Sequence, residues 1–234
     1  LSKFWFSLTE NIIPNHFITD NIIEQYPGLK EHESILKGRS MIVKKAKPLA
    51  VECIVRGYIT GSGWSEYKKQ GTICGIKLKD GLVESEKLNT PIFTPSTKAE
   101  QGEHDENIDF ESCVGIIGQE LAEKVRDFSI KIYSTAHDYA KEKGIIIADT
   151  KFEFGLVGDE LILIDEVLTP DSSRFWPKDL YGEGRGQQSY DKQFVRDYLT
   201  SVGWDKNPPA PELPKDIASL TSQKYIEAID LLTA

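Results

Sequence analysis

GIIIADTKFEFGL (144–156) and ELILIDEVLTP (160–170) are two apolar-rich runs separated by Val157, Gly158 and Asp159. In the first, Asp149, Lys151 and Glu153 alternate with Phe152, Phe154 and Leu156, the signature of a strand with one charged and one apolar face. In the second, LILID is apolar on both faces before Asp165 and Glu166, as in a strand covered on both sides. Gly158 and Asp159 between them predict a hairpin.

By itself the row Asp149, Lys151, Glu153 is adequately explained as solvated surface. Its neighbour alters that reading, because a carboxylate within a buried strand needs a partner, and Lys151, Arg174 or a divalent cation would serve. A three-residue connection at Gly158, Asp159 and Glu160 places Glu153 opposite Asp165, whereas a two-residue connection puts them on opposite faces. The metal reading requires the former. Two facing carboxylates beside a lysine suit Mg²⁺, a hard cation that bridges to nucleotide phosphates.

Downstream, TPDSSRFWP (169–177) offers an exit turn at Pro170, hydroxyls at Ser172 and Ser173, and Arg174 placed to grip a phosphate or carboxylate in two-point fashion. Turn formation explains Asp171 and Ser172 equally well, but gives no reason for the arginine. Upstream, apolar residues from Phe110 through Tyr139 recur every three or four positions until Gly144, predicting one long helix. Earlier still, Glu52, Ile54 and Arg56 of VECIVR share one strand face, and Val51, Cys53 and Val55 the other. GYITGSG (57–63) follows, where Ser62 is expected to cap a short helix ending at Gly71 and to help form a modest anion site.

Residues 72–109 read as loop-rich. Within them TPSTKAEQGEHDEN (94–107) gathers Ser96, Lys98, His104 and Asp105, a composition that suits either a solvated loop or one wrapped around a polar ligand. An opening helix (Leu1, Phe4, Trp5, Leu8), a strand and connector over 40–47, and helices over 189–200 and 217–232 complete the pattern. Strands early, helices late and one hairpin between them predict an α+β protein with helices on a largely antiparallel sheet.

Composition narrows the classes. Of 234 residues, 39% are hydrophobic and 28% charged, which suits a folded globular chain. With 28 basic against 37 acidic residues the net charge is −9, which opposes binding to nucleic acid but not to a small anion in a basic cleft. Cys53, Cys74 and Cys113 form no CxxC pair, so a reducing cytoplasm is expected. No apolar run approaches the roughly 20 residues of a membrane span. His16, His32 and His137 lack metal-ligand spacing.

Together, VECIVRGYITGSGW (51–64), TPSTKAEQGEHDEN, GIIIADTKFEFG and LIDEVLTPDSSRFWP (163–177) closely resemble the phosphoribosylaminoimidazole-succinocarboxamide synthase (SAICAR synthetase) family, from end to end. The resemblance implies an ATP- and Mg²⁺-dependent carbon–nitrogen ligase of purine biosynthesis. It would join L-aspartate to carboxyaminoimidazole ribonucleotide (CAIR) to form SAICAR, releasing ADP and phosphate. An acyl phosphate intermediate fits, since a carboxylate is a poor electrophile until its oxygen becomes a leaving group.

The resemblance further implies two lobes with ATP between them. Residues 1–47 would be the remainder of a small antiparallel-sheet lobe with its adenine-seating hinge over 41–47, and residues 48–234 the larger α/β lobe. Glu153 and Asp165 are similar to the Mg²⁺ ligands, and Lys151 to a contact with nucleotide phosphate or substrate carboxylate. Arg56, Ser62 and Arg174 would clamp the ribonucleotide, and Glu52 would lie near its imidazole. Ser96, Lys98, His104 and Asp105 would line the aspartate site. The family's Gly, Lys and Arg loop over the ATP phosphates has no match in residues 1–40, so an N-terminal truncation is expected. A non-catalytic metabolite-binding protein and a small-molecule kinase are the alternatives. ADP release dependent on both aspartate and ribonucleotide excludes the first, and product mass the second.

Overall fold

The computed structural model describes residues 1–98, 105–205 and 207–234. Its strands are β1 (Phe17–Thr19), β2 (Ile42–Val43), β3 (Lys47–Pro48), β4 (Val51–Tyr58), β5 (Thr72–Ile73), β6 (Ile76–Lys77), β7 (Lys87–Phe93), β8 (Ser96–Thr97), β9 (Ile145–Val157), β10 (Glu160–Ile164) and β11 (Ser173–Pro177). The helices are α1 (Ser2–Thr9), α2 (Ile22–Gln25), α3 (Glu33–Leu36), α4 (Gly61–Gln70), α5 (Phe110–Ile117), α6 (Gln119–Glu142), α7 (Gln193–Ser201) and α8 (Lys215–Thr233). The architecture is α+β: a sheet ordered β10-β9-β4-β7, with β3 and β11 also on β9 and β8 on β4, all pairings antiparallel.

One face of this sheet is the core. Val51, Cys53 and Val55 of β4 and Phe152 and Phe154 of β9 pack there against Val125, Ile132, Tyr133 and Ala136 of α6, with Trp5 and Phe6 of α1 and Leu232 of α8 closing the cluster. Helix and sheet approach closely: the Tyr133 hydroxyl donates to the Ile147 carbonyl at 2.7 Å, and a Cβ on Gly57 would lie 2.0 Å from that hydroxyl oxygen. Only glycine fits at position 57 without displacing Tyr133.

The long helix expected from Phe110 is broken. Gly118 adopts φ +84°, a left-handed value that ends α5 and starts α6. The stretch expected to be loop-rich contains β7, whose Pro91 lacks an amide hydrogen and is tolerated because β7 is the edge strand of that order.

The hairpin register is the main correction. Glu160 pairs with Val157 and Ile164 with Glu153, so the connection is the two-residue one and Glu153 does not face Asp165 across the ladder. Nor is Asp165 buried. It leaves β10 at φ +63° and is exposed, so the argument from burial that it needs a partner falls. A second irregularity aims the charged row. Phe175 pairs with Ile147 and Arg174 with Asp149, leaving Ala148 as an extra residue, a β-bulge. Before it, Ile145 and Ile147 point into the core; after it, Phe152 and Phe154 do. Strict alternation would have carried Asp149 to the core face with Ile145 and Ile147.

Candidate active site

Opposite the core, the polar residues of β4 and β9 share one face of the sheet. Ile54 pairs with Lys151 and Arg56 with Asp149, and β8 and β11 extend the row with Glu52 against Ser96 and Arg174 against Asp149. The charges sort by position.

At one end, Asp149 is shared by two guanidiniums, accepting from Arg56 at 3.1 Å and from Arg174 at 2.5 Å. Arg56 is 2% exposed and Asp149 4%. Each Arg56 nitrogen has a partner, Nε donating to Thr94 Oγ1 and a terminal nitrogen to Ser62 Oγ, both at 3.0 Å. Burial pulls the Arg56 pKa below its ordinary value, with Asp149 opposing and Arg174 adding to the pull. Arg174 is held above its ordinary value, chiefly by Asp149. A Cβ on Gly61 would sit 2.4 Å from an Arg174 terminal nitrogen, so the backbone at the start of α4 approaches the guanidinium closely. Ser62 is not the cap expected of it. The α4 N-cap is Thr60, which makes no side-chain cap bond, and Ser62 instead receives Arg56.

At the other end, Lys151 donates to Glu52 and lies 3.6 Å from Glu153. Burial disfavours its charge, but Glu52, then Glu153 and Asp165, outweigh that and raise its pKa. Asp165 therefore lies near enough for its charge to act on Lys151, although the ladder does not pair it with Glu153. Lys98 donates to Glu153, and Ser96 Oγ to the buried Glu52 at 3.2 Å.

The polar loop is fastened at its base: Thr97 N–H donates to the Glu106 carbonyl at 2.9 Å, and Asn107 donates to Glu66 of α4 at 3.0 Å. Asp105 is exposed beside this base, and His104 lies outside the described residues.

Several contributors were not singled out in the sequence. Asp149 and Arg174 line a small cleft with Ser172, Lys192 and Arg196. A neighbouring cavity of about 360 Å³ runs from Arg174 along Trp176 and Gln187 to Thr60. Lys192 and Arg196 stand four apart, a spacing that puts both on one side of a helical turn and was available as a signal. Asp191 shares the cleft. Burial raises its pKa to about 6 against the pull of Arg174, and it accepts the Gln193 and Phe175 amides at 2.8 and 3.3 Å. Among the described residues no group of three or more His, Cys, Asp or Glu side chains is placed to hold a metal.

Buried Arg56 and partly exposed Arg174 open on a polar cleft, with acids and lysines one step along the same sheet face, an arrangement typical of enzyme sites that take small anionic ligands. A family model described as SAICAR synthetase matches residues 1–211. The phosphoribosylaminoimidazole-succinocarboxamide synthase of Geobacter sulfurreducens is 61% identical over 233 residues, covering 100% of this chain and 79% of that protein. Among solved structures, the SAICAR synthase of Saccharomyces cerevisiae complexed with SAICAR superposes with a TM-score of 0.89 at 47% identity, over 99% of this chain and 78% of that one. A SAICAR synthetase in complex with ADP gives 0.68 at 25% identity, over 99% and 77%. The chain belongs to the SAICAR synthetase family. Its activity is that of an ATP-using ligase in purine biosynthesis.

Proposed function

We propose that the polar face of β4 and β9 carries out the family's reaction in the cytoplasm, joining the amine of L-aspartate to the carboxylate of CAIR through an acyl phosphate and releasing SAICAR, ADP and phosphate. The observation that carries this is the sorting of charge along one sheet face, with guanidiniums around Asp149 and acids with lysines beyond it. Arg174, with Arg56 and Ser62 behind it and Lys192 and Arg196 beside it, holds the ribonucleotide 5′-phosphate. Glu52 lies beside the imidazole, and Ser96, Lys98, His104 and Asp105 line the aspartate site.

Glu153 and Asp165 would hold Mg²⁺. The fit rests on their being hard oxygen donors: Glu153 already attracts the ammonium groups of Lys98 and Lys151, and the charge of Asp165 acts on Lys151 as well. Once bound, the ion would neutralise charge on the nucleotide phosphates. Lys151, kept protonated by its acidic neighbours, orients a phosphate or the substrate carboxylate. Residues 1–47 belong in this reading to the ATP-binding lobe and hinge, and 48–234 to the lobe with the substrate and metal sites.

The test is ADP release that requires both aspartate and ribonucleotide. Asp165→Asn is expected to lower kcat at least 100-fold with an unchanged melting midpoint, and Arg174→Ala to raise the ribonucleotide KM about 10- to 100-fold, the loss of a charged hydrogen bond. Near-normal turnover in Asp165→Asn removes the metal assignment, and an unchanged KM in Arg174→Ala removes the phosphate assignment.

A further inference from the structure

Pro14 to His16 lies outside the charged row, yet it is bonded to the end of β10, where Asp165 stands. The Leu163 amide donates to the Pro14 carbonyl at 2.9 Å and the His16 amide to the Leu163 carbonyl at 3.1 Å, a parallel bridge of Asn15 with Leu163 at the end of β10. The His16 ring is 5.3 Å from that of Phe6, edge to face, and the residue is 7% exposed. Its Nε2 lies 3.2 Å from the carbonyl oxygen of Asp165. A carbonyl only accepts, so this nitrogen carries the hydrogen. The His16 carbonyl in turn accepts the Lys44 amide at 2.7 Å, which ties the same residue to the connector over 41–47.

The register makes this bond matter. One further step of the β9–β10 ladder would set residue 165 opposite Phe152, on the core face. Asp165 escapes that placement only by its left-handed φ of +63°, a conformation that L-residues other than glycine disfavour. A conformation so disfavoured needs support from its surroundings, and the imidazole bonded to its carbonyl is placed to give it.

We infer that His16 is a positioning residue for Asp165, holding the turn that keeps this carboxylate near Lys151 and tying the turn to the 41–47 connector. The inference rests on the reading of Asp165 as a metal carboxylate. Its function is geometric, so a side chain that donates to the same carbonyl should replace it. Glutamine can do so; leucine has no donor, and asparagine is too short to reach.

The experiment measures binding of Mn²⁺·ADP to the full chain by the Mn²⁺ paramagnetic resonance signal, with ribonucleotide affinity as the control for folding. His16→Leu, or His16→Asn should the leucine variant not fold, is expected to weaken Mn²⁺·ADP at least five-fold while ribonucleotide binding stays within two-fold. His16→Gln should stay within two-fold of the unmutated chain on both. Unchanged Mn²⁺·ADP affinity in His16→Leu, failure of the glutamine rescue, or a parallel loss of ribonucleotide binding overturns the inference. Asp165→Asn separates the two levels. If it binds Mn²⁺·ADP normally, the metal assignment falls and the inference with it. If it loses binding while His16→Leu does not, only the inference falls.

Discussion

The two ends of the charged row on β9 are built differently. At Asp149 the acid is buried, both partners are arginines, and the Arg56 guanidinium is satisfied at each nitrogen. At Glu153 the partners are lysines whose side chains remain 38% and 32% exposed, and Asp165 stands in solvent on a strained turn. Arginine suits a fixed, two-point grip and lysine a mobile point charge. If the proposed roles hold, the difference teaches that a site for a fixed anionic group can be assembled and closed in advance. A site for an exchangeable cation must leave its carboxylates recoverable.

Breaking the closed end should have the larger effect. Asp149→Asn removes the one carboxylate between two guanidiniums and leaves buried positive charge unpaired, at a cost of about 3–5 kcal/mol in chemical denaturation. Ribonucleotide binding should weaken with it, because Arg174 loses the contact that orients it. A loss below about 1 kcal/mol would show the arginines to be held by something other than Asp149.

The closed end also contains an acid whose burial should appear in the pH dependence of stability. Asp191, 2% exposed, has a folded-state pKa raised to about 6. That lies above its unfolded value, so between roughly pH 4 and 6 the folded chain holds the proton longer. Stability from this group is complete below that window and is lost as pH rises through it. Asparagine does not titrate there. Relative to the unmutated chain, Asp191→Asn should therefore gain up to about 3 kcal/mol between pH 4 and 7.5, apart from a constant offset for its altered hydrogen bonds. Parallel stability curves for the two proteins would place the pKa of Asp191 in the ordinary range.

How much of this was legible in the sequence follows the same division. Alternation in VECIVR and in DTKFEF named Glu52, Arg56, Asp149, Lys151 and Glu153, because periodicity encodes which face a side chain takes. It does not encode register. Gly158 and Asp159 suit a two- or three-residue connection alike, so the facing of Glu153 and Asp165 was expected and is absent. Nor does an unbroken run such as IIIA announce that Ala148 bulges, though that bulge brings Asp149 to the site face. Lys192 and Arg196 escaped because they come from the start of α7, far along the chain, and reach the cleft only through tertiary packing. Asp165 was singled out for the wrong physical reason: it is set by a local left-handed turn and not by burial within β10.

The smallest effect belongs to the open end. Lys98→Met removes a partly exposed ion pair with Glu153, and such pairs contribute about 0–1 kcal/mol, so the melting midpoint should barely move. Binding should move instead. If Lys98 occupies Glu153 only until a cation arrives, its removal frees a carboxylate, and Mn²⁺·ADP should bind about two- to three-fold more tightly while the aspartate KM rises. A stability loss above about 2 kcal/mol would make this pair as structural as Arg56 with Asp149. The contrast between a closed anion end and a releasable cation end would then not hold, since both ends would be fixed frameworks and Glu153 would be unavailable to a metal without partial unfolding of the loop base.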